Sequence, residues 1–240
     1  MAASDGLTRA PLPTDVKRRS AHYRKLRQEA AVFGEVAGCV LPMRYRDAGD
    51  ERAAARNLGL VELSPLQRIG FKGRAVLSRM NTDGVTLEFR PNRAFRQKDG
   101  TLAAVLAMTE VLLLSPLNGE AAGLDKLAAG WSIETADGSY LVPRRDTHYW
   151  FLVTGEQASS MFAKICGVDL GPKNFDNLTV AQTSIAKSTA IVIRDDRDEM
   201  PAYHLLGDSA SAGYMWDCLM DAMAEFDGRP IGLAALLPLC

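Results

Sequence analysis

The chain has 240 residues, 47% hydrophobic and 24% charged, which is ordinary globular composition and enough length for one large domain or two small ones with a sizeable core. Its 28 basic and 29 acidic side chains leave a formal net charge of −1, which gives no support for binding nucleic acid through its phosphates. No apolar signal segment opens the chain and no apolar run is long enough to span a bilayer, while Cys39, Cys166, Cys218 and Cys240 form neither C-x-x-C pairs nor zinc spacings, so a cytoplasmic protein with reduced thiols, no membrane contact and no metal site is expected.

Residues 1–13 are small and polar, with Pro11 and Pro13, and read as a loose segment. Thr14 can cap a helix beginning at Asp15, whose carboxylate suits the positive helix end, and the pattern carries this helix to about residue 29 or 31. Residues 38–45 read as a loop, and 50–56 as a short helix ended by Asn57 and Gly59. Residues 60–63 and 68–71 read as strands around Ser64-Pro65. Residues 73–80 make a helical turn or two, Gly84 breaks them, and the alternation over 85–89 predicts a strand. A turn at Pro91-Asn92 precedes β-like runs over 102–108 and 111–114, then a helix over 118–129. Strands are predicted over 131–135, 140–142 and 148–153, with turns at Asp137-Gly138 and 144–146. An amphipathic helix over 156–166 stops at Gly167, and a β-rich region over 179–194 leads into a charged loop over 194–199. After a strand at 203–206, Ser209 can cap a last helix that anchors Tyr214, Trp216, Leu219 and Met223. Two similar halves of the order strand, strand, helix, strand predict an α+β fold with largely antiparallel sheet, residues 14–240 forming a single domain.

The stretch from Phe33 to Ser64 carries a more specific signal. A glycine-containing loop at Phe33-Gly34 leads to Pro42-Met43-Arg44-Tyr45, then to Glu51 and the run Ala55-Arg56-Asn57-Leu58-Gly59-Leu60-Val61-Glu62-Leu63-Ser64. Residues 68–73 and 109–114 follow, then Phe151-Leu152-Val153-Thr154-Gly155, Trp216 and Gly228-Arg229-Pro230-Ile231-Gly232-Leu233-Ala234. In this order and spacing the chain resembles the folate-binding aminomethyltransferase superfamily over about residues 24–235. That superfamily includes the glycine-cleavage T-protein and subunits of dimethylglycine and sarcosine oxidases. The resemblance implies ferredoxin-like antiparallel sheet units with helices around a central cavity that admits tetrahydrofolate.

The departures matter as much. The family's catalytic aspartate is expected in a hairpin that here reads Asp137-Gly138-Ser139-Tyr140-Leu141, a poor match. Its Thr-Gly-Glu loop is expected at residues 194–203, which read Arg-Asp-Asp-Arg-Asp-Glu-Met-Pro before Ala202 and Tyr203. The family's C-terminal barrel is expected to be missing, because the chain stops at Cys240. No residue is therefore assigned a catalytic role. Such a pattern is most similar to the small γ subunit of heterotetrameric sarcosine oxidase, or to a small subunit of a related complex such as dimethylamine monooxygenase. There, larger redox partner subunits carry flavin, NAD, heme or iron–sulfur groups.

Six residues are candidates for binding the cofactor that the resemblance implies. Arg144, Arg145 and His148 can bind a carboxylate such as the glutamate tail of folate. The same residues also read as a charged hairpin loop with an internal Arg–Asp pair. Glu35 can accept from a pterin edge and Tyr45 can stack on the ring, with Arg44 beside them; equally, Tyr45 can pack the loop on the core while Glu35 pairs with Arg44. Residues 93–98, with Arg93, Arg96, Gln97 and Lys98, read as a solvated turn more readily than as a docking loop. Asp195, Asp196, Asp198 and Glu199 lack calcium-loop spacing and read as a solvated loop or a subunit contact. Cys39 has no sequence-adjacent base and is not read as a nucleophile.

Three functions follow as expectations. The first is a non-redox small subunit of a heteromeric, tetrahydrofolate-linked amine-oxidising or demethylating complex. The second is a stand-alone tetrahydrofolate-dependent aminomethyl- or methyltransferase. The third is a non-catalytic scaffold with a folate-type fold.

Overall fold

The computed structural model describes residues 18–237. In chain order these form β1 (Arg18–Arg19), α1 (Tyr23–Gln28), β2 (Val32–Val36), β3 (Cys39–Arg44), α2 (Ala48–Leu58), β4 (Gly59–Glu62), β5 (Arg68–Lys72) and α3 (Val76–Thr82). They continue with β6 (Arg93–Arg96), β7 (Leu102–Ala107), β8 (Glu110–Leu114), α4 (Ala122–Ala129), β9 (Tyr140–Pro143) and β10 (His148–Thr154). The last elements are α5 (Ala158–Ile165), β11 (Val180–Ile185), β12 (Ser188–Arg194), β13 (Ala202–Asp208), α6 (Ala212–Ala224) and β14 (Arg229–Pro230).

The fold is mixed α+β. One sheet has the order β11-β12-β13-β10-β4-β14, a second β6-β7-β8-β5-β9, and a small third β1-β3-β2. Pairing is antiparallel except at β1/β3 and β14/β4. Strict alternation along β10 explains the layering: Tyr149, Phe151 and Val153 enter one core, Trp150 and Leu152 another. The first core lies between the six-stranded sheet and helices α5 and α6, where Met161, Phe162, Met215, Trp216 and Leu219 are buried. The second lies between the two large sheets, joining Val61, Ile193 and Leu206 to Ala104, Leu112 and Leu114. The third joins Phe71, Val105 and Leu113 of the five-stranded sheet to Val76, Leu77 and Met80 of α3 and Leu124 of α4. The layers thus run helices, sheet, sheet, helices.

The chain passes from the six-stranded to the five-stranded sheet between β4 and β5, and back between β9 and β10. Arg68, fully buried, joins both passages. Its Nη1 donates to the carbonyls of Ser64 (2.8 Å) and Leu66 (3.0 Å), and its Nη2 to those of Arg145 (2.8 Å) and His148. Burial pushes its pKa down to about 9, against the pull of Glu62.

Three expectations are corrected. The loop over 38–45 is instead the second strand of a hairpin, turned at Ala37-Gly38 with φ of 48° and 71°, the backbone a two-residue turn requires. The strand expected over 85–89 is absent: Val85 and Leu87 are buried as the alternation implies, but the side chains of Gln97 and Asn81 take the backbone amides of Thr86 and Leu87. Residues 131–135 form turns, not a strand. In the first predicted helix, Thr14 and Asp15 lie outside the described residues, and α1 begins only after Ser20 Oγ accepts the His22 amide.

Candidate functional site

A cavity of about 260 Å³ opens between the two large sheets. Arg96, Leu102 and Leu114 of the five-stranded sheet, with Ser115 just after β8, face His204 of the six-stranded sheet and Asp195 and Arg197 of the β12–β13 connection. The register explains why these residues meet. Ile193 pairs with His204 and Arg194 with Tyr203, so Asp195 lies at the top of β12 beside the histidine on β13. His204 alternates with Tyr203 and Leu205 and therefore faces the inter-sheet layer.

The polar groups of the cavity are strongly ordered. Trp150 Nε1 donates to His204 Nδ1 at 3.0 Å, and His204 Nε2 lies 3.1 Å from Asp195 Oδ2. Arg96 donates to Asp195 Oδ1. Burial pushes the Asp195 carboxyl up, but the His204 hydrogen bond and the Arg96 guanidinium outweigh it and hold the acid well below the usual carboxylate range. Both carboxylate oxygens are thus engaged. Arg197 differs: its guanidinium has no ion-pair partner among the described residues, and burial pushes its pKa down. Ser115 Oγ is buried without a hydrogen-bond partner among the described residues. The cavity therefore offers one unpaired cation, one orphan hydroxyl and the locked Asp195–His204 pair.

The acidic run 195–199 had the look of a solvated loop, yet Asp195 is only 3% exposed. Asp196 accepts both Nε and Nη2 of Arg194 at 2.8 Å. The one sequence cue to this site was a histidine inside the apolar strand Tyr203-His204-Leu205-Leu206.

The six sequence candidates lie elsewhere and fall into separate groups. Arg144 donates from Nη1 to His148 Nε2 at 3.0 Å and pairs with Glu110. Arg145 donates to the Pro65 carbonyl at 3.1 Å and to Cys39 Sγ at 3.1 Å. Both side chains are tied to the inter-sheet passages around Arg68. Glu35 is exposed on β2 opposite Val40, and Arg44 is exposed opposite Val32; no ion pair joins them among the described residues. Tyr45 is turned inward. Its amide donates to Glu51, and its hydroxyl is buried without a partner. Burial, then the charges of Glu29, Glu62 and Glu51, push its pKa well up. Glu62 meets His22 Nε2 at 3.0 Å, and Glu29 accepts Trp216 Nε1 at 3.2 Å.

Among the described residues no helix is long and apolar enough to cross a membrane. Known proteins share this fold. An aminomethyltransferase of Mycolicibacterium paratuberculosis is 25% identical over 225 residues, covering 87% of this chain and 58% of its own length. One from Mycobacterium leprae is 24% identical over 221 residues with the same coverage. The chain thus spans less than two thirds of these relatives. Among solved structures, a chain of the heterotetrameric sarcosine oxidase from Corynebacterium sp. U-96 superposes with a TM-score of 0.59 at 22% identity, over 76% of this chain and 93% of that one. The glycine cleavage system aminomethyltransferase T of Bartonella henselae gives 0.70 at 15% identity, over 91% and 60%. Both share the fold. The model of the GCVT N-terminal domain matches residues 22–239, and the chain belongs to this folate-binding, aminomethyltransferase-like family.

Proposed function

We propose that the chain is a non-redox subunit of a heteromeric amine-oxidising or demethylating complex of the sarcosine oxidase γ or dimethylamine monooxygenase type. In this reading the inter-sheet cavity forms part of a tetrahydrofolate compartment, and flavin, heme or iron–sulfur groups reside on larger partner subunits. The observation that carries it is the cavity itself. At about 260 Å³ it has room for a ring system, below the range of roughly 300–1,000 Å³ typical of self-sufficient small-molecule sites. Its residues fit the head of a pterin. Such a ring presents donors and acceptors along one edge, and Ser115 Oγ and the Arg197 guanidinium, without partners among the described residues, are groups that such an edge can satisfy. Tetrahydrofolate, when bound, supplies the acceptor for a one-carbon unit. The chain's own residues bind and orient: Asp195 is held by Arg96 and His204 and has no free oxygen for proton abstraction. The overlay with one chain of a heterotetrameric oxidase, over 93% of that chain and 76% of this one, supports the hetero-oligomeric reading.

A second reading, a stand-alone aminomethyltransferase, is favoured by the curated relatives, which match 87% of the chain. Three measurements separate them. Affinity purification from the native host is expected to return larger redox subunits, and isothermal titration of the isolated chain with tetrahydrofolate is expected to give weak binding that tightens in the complex. Turnover of an N-methylated amine by the isolated chain with tetrahydrofolate would overturn the subunit reading.

A further inference from the structure

The helix layer over the five-stranded sheet is incomplete. Helices α3 and α4, of 7 and 8 residues, are too short to cover five strands, and a cavity of about 700 Å³ remains between them. It lies on the face opposite the inter-sheet cavity, because Leu113 lines it while Leu114 faces the other side. Its floor is apolar, built from Val85, Leu113, Leu124 and Leu127. Its mouth is pre-formed. Gln97 donates from Nε2 to the Thr86 carbonyl at 2.8 Å and accepts the Thr86 amide at 2.8 Å, which fixes the segment after Gly84 against the β6–β7 turn.

Two features give this cavity the chemistry of a ligand site. Thr101, only 4% exposed, lines it with an Oγ1 that has no hydrogen-bond partner among the described residues. A buried orphan hydroxyl is costly, and a ligand oxygen would satisfy it. Lys98 and Lys126 line the rim and have no ion-pair partner among the described residues. Of the two carboxylates there, Asp83 is ion-paired, whereas Asp99 accepts one backbone amide and keeps its charge. Asp83 pairs with Arg79 Nε at 2.7 Å. Asp99 Oδ1 accepts the Thr101 amide at 2.9 Å, and its Oδ2 lies against Gly123 at the start of α4, 3.0 Å from where a Cβ would sit. Arg79, Lys98 and Lys126 outnumber Asp83 and Asp99 along the lining, so the balance left for a ligand is positive, and it flanks an apolar floor.

We propose that this cavity is a binding site for an amphipathic carboxylate. The head group lies at the 97–101 turn, met by Lys98 and Thr101 Oγ1, and the hydrocarbon body lies between α3 and α4 on Leu113, Leu124 and Leu127. Neither the folate-type cavity nor the partner subunits are needed for this site.

The test is isothermal titration of the full chain with octanoate and, separately, with the neutral 1-octanol. Octanoate is expected to bind saturably and more tightly than octanol. Thr101→Val, which exchanges the hydroxyl for a methyl group, is expected to weaken octanoate about fivefold to tenfold. The pair Lys98→Gln with Lys126→Gln is expected to abolish the preference for octanoate over octanol. Leu127→Trp, which narrows the apolar part of the cavity, is expected to weaken binding; should it lower the melting temperature too far to be read, Thr101→Val and the lysine pair decide. Absence of saturable octanoate binding, equal binding of octanol, or octanoate affinity unchanged in Thr101→Val and the lysine pair would each overturn the proposal.

Discussion

Trp150 Nε1 donates to His204 Nδ1 at 3.0 Å, and this contact sets the tautomer of the histidine. An indole N–H only donates, so Nδ1 accepts and the proton lies on Nε2, directed at Asp195 Oδ2. Trp150 has no exposed surface, so a core tryptophan orients the histidine that lines the inter-sheet cavity.

Asp195→Asn tests that arrangement. It leaves Arg96 without its partner and is expected to cost about 2 kcal/mol, less than a fully buried pair because Arg96 is half exposed. The folded-state carboxyl is held low, so its contribution is present above the unfolded aspartate value of about 3.9 and is lost as pH falls below it. Urea denaturation should therefore show a full gap between wild type and variant at pH 6 that narrows below about pH 4. A gap that does not vary with pH would contradict the role given to Asp195.

His148 gives the opposite handle. Burial, then the Arg144 and Arg68 guanidiniums, push its pKa down to about 4. Its neutral form fits its bonds: Nε2 accepts from Arg144, and Nδ1 donates to Thr147 Oγ1 at 2.9 Å. The unfolded chain takes up this proton near pH 6.5, so stability is full above that value and is lost as pH falls towards 4. After allowance for partial exposure the loss is about 1–2 kcal/mol. His148→Gln keeps an acceptor for Arg144 but does not titrate. Between pH 7 and 4 the wild type should lose stability relative to this variant in urea melts, and parallel curves would refute the assignment.

The fold class was legible because its strongest strands carry their own signals. The aromatic run Tyr149-Trp150-Phe151 announces a strand buried on both faces, and Ser209 to Phe226 announces the last helix. What failed was pairing. Residues 39–44 and 85–89 show similar apolar content, but only the first finds a partner strand, and no local pattern records that. The inter-sheet site was hidden for the same reason. Asp195 and His204 are nine residues apart across a charged segment and meet only through the β12–β13 register. Arg144 and Arg145 stood out by charge, yet their charge is used within the chain, on Glu110, Cys39 and the Pro65 carbonyl.

Arg68 should be the most sensitive single side chain. It has no exposed surface, and its guanidinium holds four carbonyls at the two sheet-to-sheet passages. Arg68→Met removes the donors and leaves those carbonyls unpaired, with an expected cost of about 3–5 kcal/mol. Arg68→Lys should rescue little, because one ammonium cannot span both passages. Thermal and urea unfolding of the two variants provide the check. Rescue by lysine to wild-type stability would mean that charge, not the fork geometry, joins the passages.

Tyr45→Phe tests what the hydroxyl of this residue contributes. The hydroxyl is buried, lacks a partner and sits near the charges of Glu29, Glu62 and Glu51. A buried hydroxyl that makes no bond has lost its water without replacement, so removing it should be neutral or should stabilise by up to about 1 kcal/mol. On the proposed subunit reading, tetrahydrofolate binding by the complex should be unchanged, because the inter-sheet cavity is lined by other residues. A melting temperature lowered by several degrees would reveal a hydrogen bond made by the hydroxyl in solution. Weaker tetrahydrofolate binding at unchanged stability would instead bring Tyr45 into the cofactor compartment.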